Sequence, residues 1–158
     1  MKPRTSWREK LERPQEPRKV DIPPKMQKRF GKGTMLIPRP LDVEALIKTI
    51  PRGQLATQGQ IRERLAKTHK ADTTCPMTTG IFLRITAEAA EEDLRNGRKR
   101  VTPYWRVIRD DGGLNPKFPG GAEAQAVRLR QEGHVIERAR GAKPPKVVGY
   151  TGKLSKLF

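Results

Sequence analysis

The stretch Val101-Thr102-Pro103-Tyr104-Trp105-Arg106-Val107-Ile108 constrains this chain more than any other. Two bulky aromatics stand side by side, a proline precedes them, and one arginine sits among apolar neighbours. Aromatic and β-branched residues suit an enclosed, pleated surface, so the run predicts a short buried strand. A glycine-rich turn, Asp111-Gly112-Gly113, follows it. Pro119-Gly120-Gly121 then introduces a helix expected over 121–132. Ala122, Ala126 and Leu129 face inward there, Arg128 and Arg130 outward, and Gly133 ends it.

Upstream, helical periodicity dominates. Asp42 reads as an N-cap, and Val43, Leu46, Ile47 and Ile50 follow as one apolar face ended by Pro51-Arg52-Gly53. Thr57-Gln58-Gly59-Gln60 fits a capping box, with Gln60 reaching back to Thr57. Ile61 and Leu65 mark the buried side of that helix. A loop over Thr68–Thr74 leads to a longer helix from Met77 to Arg95, with Phe82, Ile85 and Ala89 on one face and Asn96-Gly97 as its stop. Two helices so joined suit a helix-turn-helix and equally an ordinary helical hairpin. Residues 134–137 and 146–150 read as a strand hairpin whose basic loop, Arg138–Pro145, resembles a wing. Met35-Leu36-Ile37 is a short extended run stopped by Pro38. The expected class is mainly α with small β elements: a winged helix-turn-helix-like domain over 34–150.

Residues 1–33 read differently. Pro3, Pro14, Pro17, Pro23 and Pro24 break any long helix, leaving only a brief helical turn at Ser6–Arg13. This segment is expected to be an extended, basic arm, either lying along phosphates or serving as a passive leader. Trp7 and Phe30 are the aromatics available to pin it to the domain. A short tail over 151–158 packs locally through Leu154, Leu157 and Phe158.

Charge narrows the partners. The chain carries 34 Lys+Arg against 17 Asp+Glu, a net +17, which predicts attraction to polyanions, nucleic acid first. Cys75 is the single cysteine, so no intramolecular disulfide forms. His69 and His134 lack ligand-spaced partners, so neither metal nor other cofactor is expected. No apolar run approaches the ~18 residues of a membrane span, and the N-terminus lacks the apolar core of a signal peptide. A reducing, cytoplasmic setting (the nucleoid, in a bacterium) and a monomer follow as expectations.

Ile50-Pro51-Arg52-Gly53, Thr57-Gln58-Gly59-Gln60-Ile61, Gly80, Asn96, Pro103, Arg106, Val107, Gly112, Gly120, Gly121, Glu132 and Gly133 form an ordered series. From Ile50 to Ile136 that series resembles the DNA-binding domain of the alkylguanine-DNA alkyltransferases. The family's signature, Pro-Cys-His-Arg-Val, is matched by Pro103-Tyr104-Trp105-Arg106-Val107. By the resemblance, Tyr104 replaces the cysteine that takes an alkyl group from guanine O6, and Trp105 replaces the histidine that activates it. Glu132 then has nothing to polarise. Alkyl transfer requires a low-pKa thiolate beside a base. A phenol titrates near pH ~10 and an indole offers no base, so the chain is expected not to be an enzyme. Cys75 does not fill the gap, because the same register places it near the start of the recognition helix.

The chain is similar in logic, though not in letters, to one branch of the family, the cysteine-less alkyltransferase-like proteins. They carry Pro-Trp-His-Arg, bind alkylated DNA without repairing it and hand the lesion to excision repair. The resemblance implies a helix from Met77 lying in the minor groove, with Thr78, Thr79 and Arg84 near phosphates. Gln58 takes the place of the tyrosine that rotates the nucleotide outward, and Met77 that of the arginine finger. Met77 is then an apolar wedge or an ordinary core or loop methionine. Arg98, Lys99, Arg100 and Arg106 complete the expected nucleic-acid set, although Arg106 also suits a structural role. Tyr104, Trp105, Phe118 and the Gly112-Gly113 backbone would line a lesion pocket, or the aromatics plug it, the reading their bulk favours. DNA is the expected partner, together with repair proteins. The alternative is a general nucleic-acid or RNA-binding module that reuses the fold.

Overall fold

The computed structural model describes residues 5–157; the remaining positions, Pro3 and Phe158 among them, lie outside the described residues. In chain order the elements are α1 (Trp7–Glu12), β1 (Arg18–Asp21), α2 (Gln27–Phe30), β2 (Thr34–Ile37), α3 (Pro40–Lys48), β3 (Ala56–Thr57), α4 (Gln58–Thr68), β4 (Thr73–Thr74), α5 (Pro76–Arg95), β5 (Val107–Ile108), α6 (Gly121–Gln131), β6 (Ile136–Glu137) and β7 (Lys146–Val147). Helices dominate and every described strand is short, which is the mainly α class with small β elements.

Local sequence explains most helix boundaries. The capping box of α4 forms in both directions: the Gln60 amide donates to Thr57 Oγ1 at 3.1 Å, and the Thr57 amide to Gln60 Oε1 at 2.9 Å. α3 starts two residues before the expected Asp42 cap. Pro40 occupies its first turn, where a missing N–H costs nothing and the fixed φ is already helical. Asp42 instead pairs with Arg39 at 2.9 Å. At α6, Gly120 and Gly121 both adopt positive φ (76° and 74°), which a side chain would strain.

The apolar faces converge on one core. Val43, Ile47 and Ile50 meet Ile61 and Leu65 from α4, Leu83 and Ala87 from α5, and Leu129 from α6. The parallel pair β3–β5 runs through this cluster, with Ala56 opposite Val107 and Thr57 opposite Ile108. Val107 and Ile108 are fully enclosed, each worth roughly 1.5–3 kcal/mol of burial.

Two expectations are corrected. The run from Val101 to Ile108 is not a continuous strand. Tyr104–Arg106 form a 3-10 turn, closed by the Arg106 amide on Pro103 O at 3.1 Å, and only Val107–Ile108 are extended. In a strand, Tyr104 and Trp105 would point to opposite faces; the turn buries both, edge to face at 5.4 Å. The second correction is the N-terminal segment, which is folded onto the domain over its described length. The Trp7 and Arg8 amides donate to the Glu92 carboxylate on α5 at 3.0 and 3.1 Å, and Leu11 is fully buried. The Arg8 guanidinium bonds Asp93 at 2.6 Å and Glu44 at 3.2 Å. β1 pairs antiparallel with β2, and β2 pairs parallel with β4, giving the sheet order β1-β2-β4. Phe30 packs on a small second cluster of Ile22, Met35 and Cys75. At the other end, Leu154 and Leu157 lie against the main core, and the Ser155 amide bonds Leu55 O at 2.7 Å.

Candidate nucleic-acid interface

Tyr104 is 2 % exposed. Its hydroxyl donates to Glu91 Oε1 at 2.6 Å, and the same oxygen accepts Arg128 Nη2 at 2.6 Å. The Phe118 ring meets Tyr104 edge-on at 5.2 Å, and the Arg128 guanidinium lies over Trp105 at 4.4 Å. Arg128, expected to point outward, is thus half-buried as part of this clasp. Tyr104 and Phe118, two of the expected pocket residues, are both buried. Burial, and then the Glu91 carboxylate, push the phenol well above its ordinary pKa.

Behind it, Glu132 has a role that the sequence reading missed. It accepts Trp105 Nε1 at 3.0 Å, and Arg106 Nε and Nη2 at 2.9 and 2.8 Å. Burial alone would raise the carboxyl; the donors from Arg106 and Trp105 outweigh it and hold Glu132 below the usual range. Arg106 Nη1 also donates to Ile50 O at 2.7 Å. The guanidinium is therefore used up inside the protein, and Arg106 is withdrawn from the nucleic-acid set. Gln125, unremarked in the sequence, holds the turn from α6: its amide nitrogen donates to Trp105 O and Val107 O at 3.1 and 2.9 Å. Its signal was a polar residue on the buried face beside Ala126.

Gly112 and Gly113 do not join the aromatic cluster. Gly112, at φ 87°, lies under the Tyr150 ring, where a Cβ would clash. Its carbonyl accepts the Val147 amide at 3.0 Å. The two glycines seat the β6–β7 hairpin, in which Ile136 pairs with Val147 and Glu137 with Lys146.

The nucleic-acid residues divide along α5. Met77 is 71 % exposed and Ile81 55 %, while Gly80 and Arg84 are also exposed. These positions, i, i+3, i+4 and i+7, share one face about 10 Å long. Met77 is thus an exposed helix residue, not a core methionine. Ile81 was missed, although its spacing from Met77 was visible. Thr79 is withdrawn: it is buried, and its hydroxyl donates to Cys75 O at 2.8 Å. Thr78 is half-buried beside the row, with its hydroxyl 3.1 Å from Cys75 Sγ. Gln58 is half-buried at the start of α4. Arg98, Lys99 and Arg100 are exposed beyond the other end of α5.

Among solved structures the chain is similar to S. pombe ATL in complex with DNA, at a TM-score of 0.50 and 18% sequence identity, over 74% of this chain and 94% of that one. The chain has the alkyltransferase-like fold. S. pombe Atl1 in complex with damaged DNA containing O6-carboxymethylguanine is also similar, at a TM-score of 0.49 with the same identity and coverage. No protein-family model and no curated protein matches the chain. Within the alkyltransferase-like fold, this chain combines a buried Tyr104 with an apolar and cationic row on α5.

Proposed function

We propose that this chain is a DNA-binding alkyltransferase-like protein that recognises alkylated or distorted duplex without transferring the alkyl group. The observation that carries the reading is the solvent-facing row Met77, Gly80, Ile81 and Arg84 on α5. The fold supports it, because a solved example of that fold is in complex with DNA. In this reading α4 and α5 act as a helix-turn-helix, α5 enters the minor groove, and the β6–β7 hairpin acts as the wing. Gly80 lets the backbone approach the duplex, Met77 and Ile81 wedge against base steps, and Arg84 holds a phosphate. The loop cations Arg138, Arg140 and Lys143 follow the adjacent backbone. A modified guanine that pairs poorly lowers the cost of bending, so a helix wedge selects damaged duplex through its deformability.

Alkyl transfer would require a nucleophile at position 104 to attack the alkyl carbon and release guanine O6. The Tyr104 phenol is raised in pKa and already donates to Glu91; Trp105 supplies a donor where a base is needed. Monomeric action, a cytoplasmic setting and recruitment of repair proteins belong to the same reading. The second reading, a general DNA- or RNA-binding module, draws on the burial of Tyr104 and Phe118 against each other, which favours the aromatics as a plug.

One comparison separates them: affinity for a duplex with one O6-methylguanine, the same duplex unmodified, and an RNA hairpin, at matched salt. The expected outcome is a preference for the modified duplex that collapses in Met77→Ala/Ile81→Ala. Equal affinity for all three would overturn damage recognition in favour of the general module.

A further inference from the structure

A cleft of about 1240 Å³ opens at the C-terminal end of α5, bordered by α1, α3, residues 98–103 and, on one wall, Trp105, Arg106 and Arg128. It is remote from the Met77 row: Leu94, on its wall, lies 17 residues along the helix, about 25 Å at the α-helical rise. Eight Lys/Arg and three carboxylates line it. The carboxylates are all committed internally. Glu44 takes Arg8, Lys48 and the Thr102 hydroxyl, Asp93 takes Arg8 at 2.6 Å, and Glu12 sits 3.8 Å from Arg8. Arg106 and Arg128 are paired to Glu132 and Glu91.

Four cations remain. Arg52, Arg98, Lys99 and Arg100 are exposed and have no carboxylate partner among the described residues. Arg98–Arg100 lie just past a helix C-terminus, where cations are favoured without any ligand. Arg52 also follows a helix, four residues beyond the end of α3, and its Nη2 donates to Gln131 O at the end of α6 at 2.9 Å; its exposed side chain borders the same cleft from another element. Helix ends by themselves do not gather cations from two elements at one cleft whose lining holds eight Lys/Arg against three carboxylates.

We infer that this cleft is a second nucleic-acid site, which holds the phosphodiester backbone of DNA beyond the segment engaged by the first turns of α5. The inference rests on the DNA-binding reading above. An open cleft larger than the ~300–1,000 Å³ of small-ligand pockets, with cations spread over two elements, fits a chain of phosphates better than a single anion.

The test uses the full chain and an unmodified duplex of roughly two helical turns, ~20 base pairs. Arg52, Arg98, Lys99 and Arg100 are changed together to Ala. The control changes four other exposed cations, Arg18, Lys19, Lys25 and Lys28, to Ala. Each phosphate contact contributes about 0.9 to the slope of log Kobs against log salt. The cleft variant is expected to lower that slope by about 3–4, the control by less than about 1. Both should melt like the parent chain. Equal slopes for the two variants would overturn the inference, as would displacement of the duplex by inorganic pyrophosphate at concentrations where matched chloride has no effect. Failure of the damage reading looks different: the parent chain would bind modified and unmodified duplex equally, while the cleft variant still lost slope on both.

Discussion

Tyr104 shows how one position redirects a site. Restoring the cysteine alone, as Tyr104→Cys, is expected to leave the protein inactive in transfer of a labelled methyl group from O6-methylguanine DNA. Trp105 still provides no base, and Glu132 is held by Arg106. Labelled protein from that single variant would overturn the argument. Tyr104→Phe removes the hydroxyl from Glu91, which keeps its Arg128 partner, and should cost about 1–2 kcal/mol in denaturant unfolding. Glu132 predicts a pH effect. Its folded pKa lies below the unfolded value of about 4.3. Its contribution is therefore complete above that value and lost as pH falls through the folded pKa. Glu132→Gln should cost about 3 kcal/mol at neutral pH, by leaving Arg106 unpaired, and should flatten the acid limb of the stability curve. Parallel acid limbs for the two proteins would exclude Glu132 as the titrating group.

Among the elements, α4 and α1 make opposite cases. The start of α4 is written in four adjacent residues, and Thr57→Ala should cost about 1 kcal/mol by removing the cap from the Gln60 amide. α1 has no such local code beyond Ser6, whose hydroxyl accepts the Glu9 amide. Its place is set by Glu92 and Asp93 on α5 and by the buried Leu11. Leu11→Ala should therefore destabilise the whole domain by about 2–5 kcal/mol, as measured by the denaturation midpoint. A freely extended arm would give no change.

For the whole molecule, the net charge of +17 predicts duplex binding that weakens steeply with salt. Arg84→Ala should lower the salt slope by about one while leaving any preference for modified DNA intact, because a phosphate contact carries no base information. Loss of that preference in Arg84→Ala would place the arginine against a base. By itself the sequence determined the longer helices, the capping box of α4, the glycine turns and the order of landmarks. Each of these rests on residues within a few positions of one another, as with Thr57 and Gln60, or on a helical repeat such as Val43, Ile47 and Ile50. Tertiary structure alone decided that Tyr104 is clasped by Glu91 and Arg128, that Arg106 turns inward to Glu132 and Ile50 O, and that residues 7–12 dock on α5. Those outcomes depend on partners 13 to 85 positions apart, whose meeting is set by how the whole chain closes its core.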